Sequence, residues 1–390
     1  MRLRRTKRAT TWRVGVGALS LLAVLTVAGA ESAGAATTDP PLPAAIETSA
    51  DSWVVLPMGQ FGSQTNTFWQ LLHADPGSSH WSVVTPQGVA DNGGLVTAAG
   101  VTAASTTVGF LPSQLLRFSP LSATTDAGRN WSPAFLPGAL AARPNALASG
   151  PDGSLAIVGA SVLHQPANSS NWSRLVTLAS LERLAPQCDA TALDAVAVTS
   201  TGAFLLGTTC HGGLGLFAAL DGKWRLERAA LPGDWSHAST AILRLQANNA
   251  QTTVLATATR KGHQALFVLS QSGSGGWHAS APLPIGGDST VRATAVGSDG
   301  ALSVLVGSKE TESVDEITPG GNWVTLPAPP RGVVGLAWVT PATTSFGATT
   351  LDALSVVGGT NLHVFALTPG GGTWVGAETL EVPLPYGSSS

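Results

Sequence analysis

The sequence predicts an all-β fold. Three observations carry that expectation: a composition rich in turn residues and poor in charge, a Trp that returns at intervals of 41 to 53 residues, and hairpin signals inside those intervals. Of 390 residues, 45 are Gly and 25 are Pro, while 11% are charged, which suits many short strands punctuated by turns. No long segment keeps a 3.6-residue apolar period, so a helical architecture is excluded.

The chain opens with Arg2, Arg4, Arg5, Lys7, Arg8 and Arg13, followed by an uncharged stretch from Val14 to Ala30. Two Ala-x-Ala sites follow, Ala28-Gly29-Ala30 and Ala33-Gly34-Ala35. A charged n-region, a short apolar h-region and small residues at a cleavage site read as a signal peptide over residues 1–35. An uncleaved anchor is the alternative, and it would leave the same domain outside the cell. Thr6-Lys7-Arg8 after Arg4-Arg5 lacks the apolar continuation of a twin-arginine signal, so general secretion to the cell envelope or the exterior is expected. Residues 36–50, with Asp39-Pro40-Pro41-Leu42-Pro43, read as a flexible linker. Six of the twenty basic residues and one of the twenty-three acidic ones precede residue 36, which leaves the remainder with a net charge of −8. It carries no basic cluster, so nucleic acid and anionic membranes are poor partners, and no membrane span is expected after cleavage.

Residues 51–386 carry the repeat, with 387–390 as a tail. A polar turn followed by Trp recurs at Trp81, Trp131, Trp172, Trp224, Trp277, Trp323 and Trp374. An apolar strand precedes each turn, as in Leu216–Leu220 and Leu266–Leu269, and Leu-Pro often closes the strand after it, as in Leu231-Pro232, Leu283-Pro284 and Leu326-Pro327. Pro cannot donate to a ladder, so this strand is expected at the outer edge of its sheet, with the Trp at its start. A second hairpin lies upstream, around Pro151-Asp152-Gly153, Ser200-Thr201-Gly202 and Ser298-Asp299-Gly300, where Gly takes the positive φ that a tight turn requires. Each unit thus supplies four antiparallel strands. The expectation is a single β-propeller of about seven blades, with six or eight as alternatives. Ring closure is open: Trp53-Val54-Val55-Leu56-Pro57 copies Trp323-Val324-Thr325-Leu326-Pro327 but lies only 28 residues before Trp81. It is either the first strand of a short first unit or a strand that closes the ring against the last.

Thr124-Thr125-Asp126-Ala127-Gly128-Arg129-Asn130-Trp131 resembles the Asp-box, the Ser/Thr-x-Asp-x-Gly-x-x-Trp hairpin of BNR or sialidase-like propellers. Thr124, Asp126, Gly128 and Trp131 match, Asn130 departs from the usual Thr or Ser, and the other units are degenerate. The resemblance implies a propeller and a local staple away from any active site, not an activity. Its Ala/Gly-rich, Lys-poor composition is also similar to that of secreted propellers of high-GC actinobacteria. Classical sialidase chemistry needs a Tyr nucleophile, and the only Tyr here is Tyr386, in the C-terminal tail. Arg117, in Leu116-Arg117-Phe118-Ser119-Pro120, only faintly matches the family's Arg-containing N-terminal motif.

The eight His residues show no zinc-site spacing, and there is no nucleophile elbow or Walker loop, so no catalytic residues, metal or cofactor are expected. His80 and His278 flank the repeat Trp and read as surface residues. Cys188 and Cys210 bracket the Ser200-Thr201-Gly202 hairpin, whose ends the pairing brings together, so a disulfide is expected. For ligands, Asp91 and Asn92 stand in a polar inter-unit stretch, where they either offer ligand oxygens or form an Asx turn. Gln114 and Arg117 are weaker candidates. The function expected is that of a monomeric, non-catalytic module binding a protein or glycan; the alternative is a glycan-active hydrolase using two carboxylates.

Overall fold

In the computed structural model, the described residues are 45–47, 51–59, 67–76, 78–86, 96–101, 106–110, 119–132, 138–142, 144–220, 222–247, 251–273, 275–297, 299–308, 311–339, 349–368 and 370–382. The chain divides into Met1–Asp39 and Pro40–Ser390, and every described residue belongs to the second part.

Strand pairing follows the Trp period. Unit I comprises Ala45–Glu47, Ser52–Gly59, Thr67–Ala74 and Trp81–Val83. Unit II comprises Val96–Val101, Thr106–Phe110, Ser119–Thr124 and Gly138–Leu140. Unit III has Ala146–Gly150, Gly153–Val158, Ser161–Pro166 and Ser173–Thr177, and unit IV has Ala190–Val198, Phe204–Cys210, Gly215–Leu220 and Lys223–Leu226. Unit V has Ser239–Ala247, Gln251–Arg260 and His263–Ser272, with an outer strand in two pieces, His278–Ala279 and Leu283–Ile285. Unit VI has Thr290–Val296, Leu302–Gly307, Glu312–Ile317 and Val324–Thr325, and unit VII has Val333–Val339, Thr350–Val357, Asn361–Leu367 and Val375–Glu381. Within each unit the strands pair antiparallel in sequence order; units IV and V are joined by one bridge, Cys210 to Thr240. The fold is an all-β propeller.

A sheet packed on both faces has second strands that read as continuous apolar runs. Trp53–Leu56, Leu155–Ile157 and Val254–Ala256 are buried without alternation. The core is accordingly divided into clusters lying between units: Leu121, Leu140, Leu147 and Ala156 between II and III; Ile157, Val196 and Leu206 between III and IV; Leu216, Ile242 and Val254 between IV and V. Leu266, Val296 and Val304 fill the V–VI joint, and Leu56, Ala293, Leu336 and Leu354 bring VI, VII and I together. Gly335 allows the last approach, because a Cβ there would stand 2.1 Å from Leu56 Cδ2.

Strand Ser52–Gly59 is the second strand of unit I, neither its first nor a strand borrowed by unit VII. The first is Ala45–Glu47, inside the stretch expected as a linker; it pairs Ala45 with Val54 and Glu47 with Ser52. Among the described residues one α-helix, Leu178–Leu184, interrupts the all-β pattern, between units III and IV. Thr177 caps it, its hydroxyl accepting from Ser180 N while Ser180 Oγ accepts from Thr177 N, and Leu181 is buried on the III–IV core. Cys188 and Cys210 form the expected disulfide, with Cα atoms 5.1 Å apart, tying the segment after this helix to the second strand of unit IV. Among the described residues no helix is long and apolar enough to cross a membrane.

Two outcomes check this packing. Cys188→Ser is expected to lower stability by about 3 kcal/mol on the chain-entropy relation, read as a lower thermal midpoint matched in wild type only after reduction. Gly335→Ala overpacks the VII–I joint and is expected to cost about 1–3 kcal/mol in denaturant unfolding.

Candidate functional site

In every unit but II, whose outer strand begins at Gly138, the repeat Trp stands at or beside the start of the outer strand, and several of the repeat Trp reach back to the unit before. Trp131 of unit II donates its Nε1–H to the Val84 carbonyl, just past the outer strand of unit I, at 2.8 Å. Trp277 of unit V donates to Glu227 Oε2 at 3.3 Å, Trp323 of unit VI to the Ala281 carbonyl at 3.0 Å, and Trp374 of unit VII to the Pro327 carbonyl at 3.0 Å. Each acceptor follows or interrupts the preceding outer strand, so the indole both fills an inter-unit joint and bonds across it. Among the described residues the buried Nε1 groups of Trp172 and Trp224 have no partner.

The Thr124–Trp131 turn shows how a turn aims such a Trp. Asp126 Oδ1 accepts from Asn130 N at 2.8 Å and from the Thr124 hydroxyl at 2.8 Å, and Oδ2 accepts from Asn130 Nδ2 at 2.7 Å. These bonds, with Asn130 as the largest contributor, hold the Asp126 carboxyl down at about 2. Gly128 has φ +80, and a Cβ on it would lie 2.5 Å from Val84 Cβ, so the turn is seated on the residue whose carbonyl receives Trp131. The four matched residues act together as an inter-unit staple.

Nearer the ring's centre, the first strands carry a recurrent bulge. Pairing skips Thr97, Asp194, Leu243, Arg292 and Val334 in units II, IV, V, VI and VII. A bulge re-aims the extra side chain. Asp194 uses this freedom to accept from Ile242 N of unit V at 3.0 Å and from the Thr209 hydroxyl at 3.0 Å. Burial outweighs those bonds and raises its carboxyl to about 6. Arg292 at the unit VI bulge pairs with Glu312, and desolvation lowers the Arg244 guanidinium only to about 10, so it stays a cation.

Two further carboxyls are raised. Burial, and secondarily the charge of Asp299, raises Glu316. Burial raises Asp352 to about 6; it is fully enclosed and accepts from Trp81 Nε1 at 3.0 Å and from the Ser79 hydroxyl at 3.2 Å. Neither lines the two cavities of about 190 Å³ that occupy the V–VI joint. One cavity lies between Leu283–Ile285 and the third strand of unit VI and is edged by Ser289, Thr311, Ser313 and Asp315. The other lies between His278–Ala281 and the turn Thr318–Asn322 and is edged by Ser270, His278, Ser280 and Asn322. Both are smaller than the roughly 300–1,000 Å³ of ordinary small-molecule pockets. Asp315 keeps its place by accepting from Ser313 and Thr325 hydroxyls at 2.9 and 2.6 Å.

Asp91, Asn92, Gln114 and Arg117 lie outside the described residues. His80 and His278 are exposed, as expected of surface positions. Among the described residues no group of three His, Cys, Asp or Glu is placed to hold a metal. The carbonyl acceptors of the Trp bonds and the V–VI cavities were not anticipated. A backbone carbonyl leaves no signature in sequence, and the cavity walls come from units about forty residues apart.

No protein-family model and no curated protein matches the chain. Among solved structures, it is similar to a putative 6-phosphogluconolactonase from Bacteroides uniformis (10% identity, 86% of this chain and 98% of the other, TM-score 0.49). It is also similar to the β-propeller domain of the Trilobed protease from Pyrococcus furiosus (8% identity, 90% and 99%, TM-score 0.46). The SapL1 lectin in complex with α-methyl fucoside matches at 12% identity over 88% and 97% of the two chains, with a TM-score of 0.41. The strand pairing, not these likenesses, carries the fold assignment.

The Trp bonds yield a paired outcome. Trp374→Phe removes a donor with a partner and is expected to cost about 1 kcal/mol beyond the change in apolar area. Trp224→Phe removes a buried donor without one and is expected to cost less or to stabilise, with denaturant unfolding of the two variants as the measurement.

Proposed function

We propose that the chain is exported and folds as a closed ring of seven blades, acting as a monomeric, non-catalytic binding module for a glycan or protein. The observation that carries this reading is where the acids stand. Asp194 and Asp352 spend their acceptor positions on joints between units, Asp194 half-buried and Asp352 fully enclosed. The two described cavities are small, half-open polar notches, one edged by Ser289, Thr311, Ser313, Glu312 and Asp315, the other by Ser270, His278, Ser280 and Asn322. Notches of that kind suit the hydroxyls of a saccharide or the polar backbone of a partner better than an enclosed reaction. Asp91, Asn92, Gln114 and Arg117, outside the described residues, are proposed as further ligand contacts. The Asp-box assignment of Thr124, Asp126, Gly128 and Trp131 belongs to the same reading and gives those residues a purely structural part.

A glycan-active hydrolase is the second reading, and the raised Glu316 beside Asp299 favours it, since a general acid needs a carboxyl that holds its proton. A glycan array run beside chromogenic glycosides decides between them. Saturable binding without turnover, reduced at least tenfold by His278→Ala with Asn322→Ala, is the expected outcome. Turnover abolished by Glu316→Gln would establish the hydrolase instead.

A further inference from the structure

Units VII and I come from opposite ends of the repeat, so no short connection holds their joint as one holds the joints between consecutive units. Ala281 and Pro327 offer backbone carbonyls to a neighbour's Trp, but this joint presents side-chain acids. Trp81 Nε1 donates to Asp352 Oδ2 at 3.0 Å and is 271 residues from it in sequence. The same carboxyl accepts from the Ser79 hydroxyl at 3.2 Å and from the Thr350 hydroxyl at 3.4 Å. Trp81 N donates to Glu378 Oε2 at 2.8 Å, and Glu378 Oε1 faces His80 Nδ1 at 3.4 Å. Ser52 Oγ donates to the Trp338 carbonyl at 2.7 Å in the same joint. Asp352 is fully buried, whereas the His80 side chain is 79% exposed, so the cluster runs from the core to solvent.

We propose that the VII–I joint is a pH-graded clasp, tightest in mildly acid surroundings and the first place at which the ring opens as the medium turns neutral. The enclosed carboxyl accepts from three donors, but among the described residues no cation stands beside its charge. Glu378 adds a second negative charge from the outer strand of unit VII. Of the other titratable groups on the strands packed here, His80 faces Glu378, and Asp51 pairs with His73 at 3.1 Å on unit I. Burial first, and the Glu378 charge in addition, raises Asp352 to about 6 from its ordinary 3.8, against the pull of its Trp81, Ser79 and Thr350 bonds. The sign follows. The folded joint holds a proton that the opened or unfolded chain releases, so the stability it contributes is complete below about pH 4 and is lost as the pH rises through about 6.

The test is hydrogen–deuterium exchange of the whole chain at pH 5 and pH 7.5, corrected for intrinsic rates. Peptides covering Trp81–Val83, Thr350–Val357 and Val375–Glu381 are compared with peptides covering the V–VI joint, His263–Ser272 and Leu302–Gly307. Asp194 titrates in the same window at the IV–V joint, so global unfolding alone does not discriminate. The expected result is at least tenfold faster opening of the VII–I peptides at pH 7.5, with the V–VI peptides changed less than twofold and Asp352→Asn abolishing the difference. Should Asp352→Asn fail to fold, Glu378→Gln, on a partly exposed side chain, is expected to make the loss of protection smaller and to complete it at lower pH, since without the Glu378 charge the Asp352 carboxyl titrates nearer its ordinary value. Equal protection at both pH values, loss shared with the V–VI joint, or a pH dependence unaltered in both variants would overturn the clasp.

Discussion

The indole that reaches back to the preceding unit is the constraint on which the rest of this molecule depends. A four-stranded sheet exposes two apolar faces and cannot bury either alone, so each unit is stable only between neighbours. Trp131, Trp277, Trp323 and Trp374 convert that general need into a fixed geometry, since each ring fills a joint and its Nε1–H fixes the distance to a particular acceptor. The turn before each Trp therefore has a defined task. It must deliver the side chain sideways, which is why Asp126 is occupied with Asn130 and Thr124 and why Gly128 lies flat against Val84.

The same constraint explains where polar chemistry has been admitted. The centre of a ring of twisted sheets is crowded, and the skipped residues in the first strands relieve the mismatch between neighbouring sheets. One of them, Asp194, uses the re-aimed position to accept from Ile242 N of the next unit, beside the bulge in that strand. Asp352 does comparable work at the VII–I joint. Burying a carboxyl is costly, and both groups respond by retaining protons at higher pH than an exposed Asp does. Each acid accepts a donor from the neighbouring unit across a joint.

Much of this was legible in the sequence because the repeat is marked by a side chain, Trp, whose spacing cannot be confused with a two- or 3.6-residue period. The hairpins at Gly153, Gly202 and Gly300 were legible because positive φ selects Gly, and all three have it: +124, +80 and +83. The disulfide followed from hairpin pairing. Ala45–Glu47 was hidden because three residues make no pattern and no Trp marks them, and the helix at Leu178 was hidden because seven residues span barely two turns of apolar period. The Trp acceptors and the bulges are properties of register, which depends on both partners of a ladder and is encoded in neither alone.

The site was less legible than the fold for a related physical reason. A propeller's functional surfaces are assembled from loops and edges that the core does not constrain, so sequence there carries no periodic signature. The V–VI cavities arise because the outer strand of unit V breaks into His278–Ala279 and Leu283–Ile285, between which Ala281 turns its carbonyl to Trp323. The break leaves Ser280 accepting from Val268 N and donating to the Ala281 carbonyl, and it opens a notch on either side of the Trp bond. The bond that closes the joint and the notches that flank it thus share one cause, and a partner seated in them would contact the joint itself.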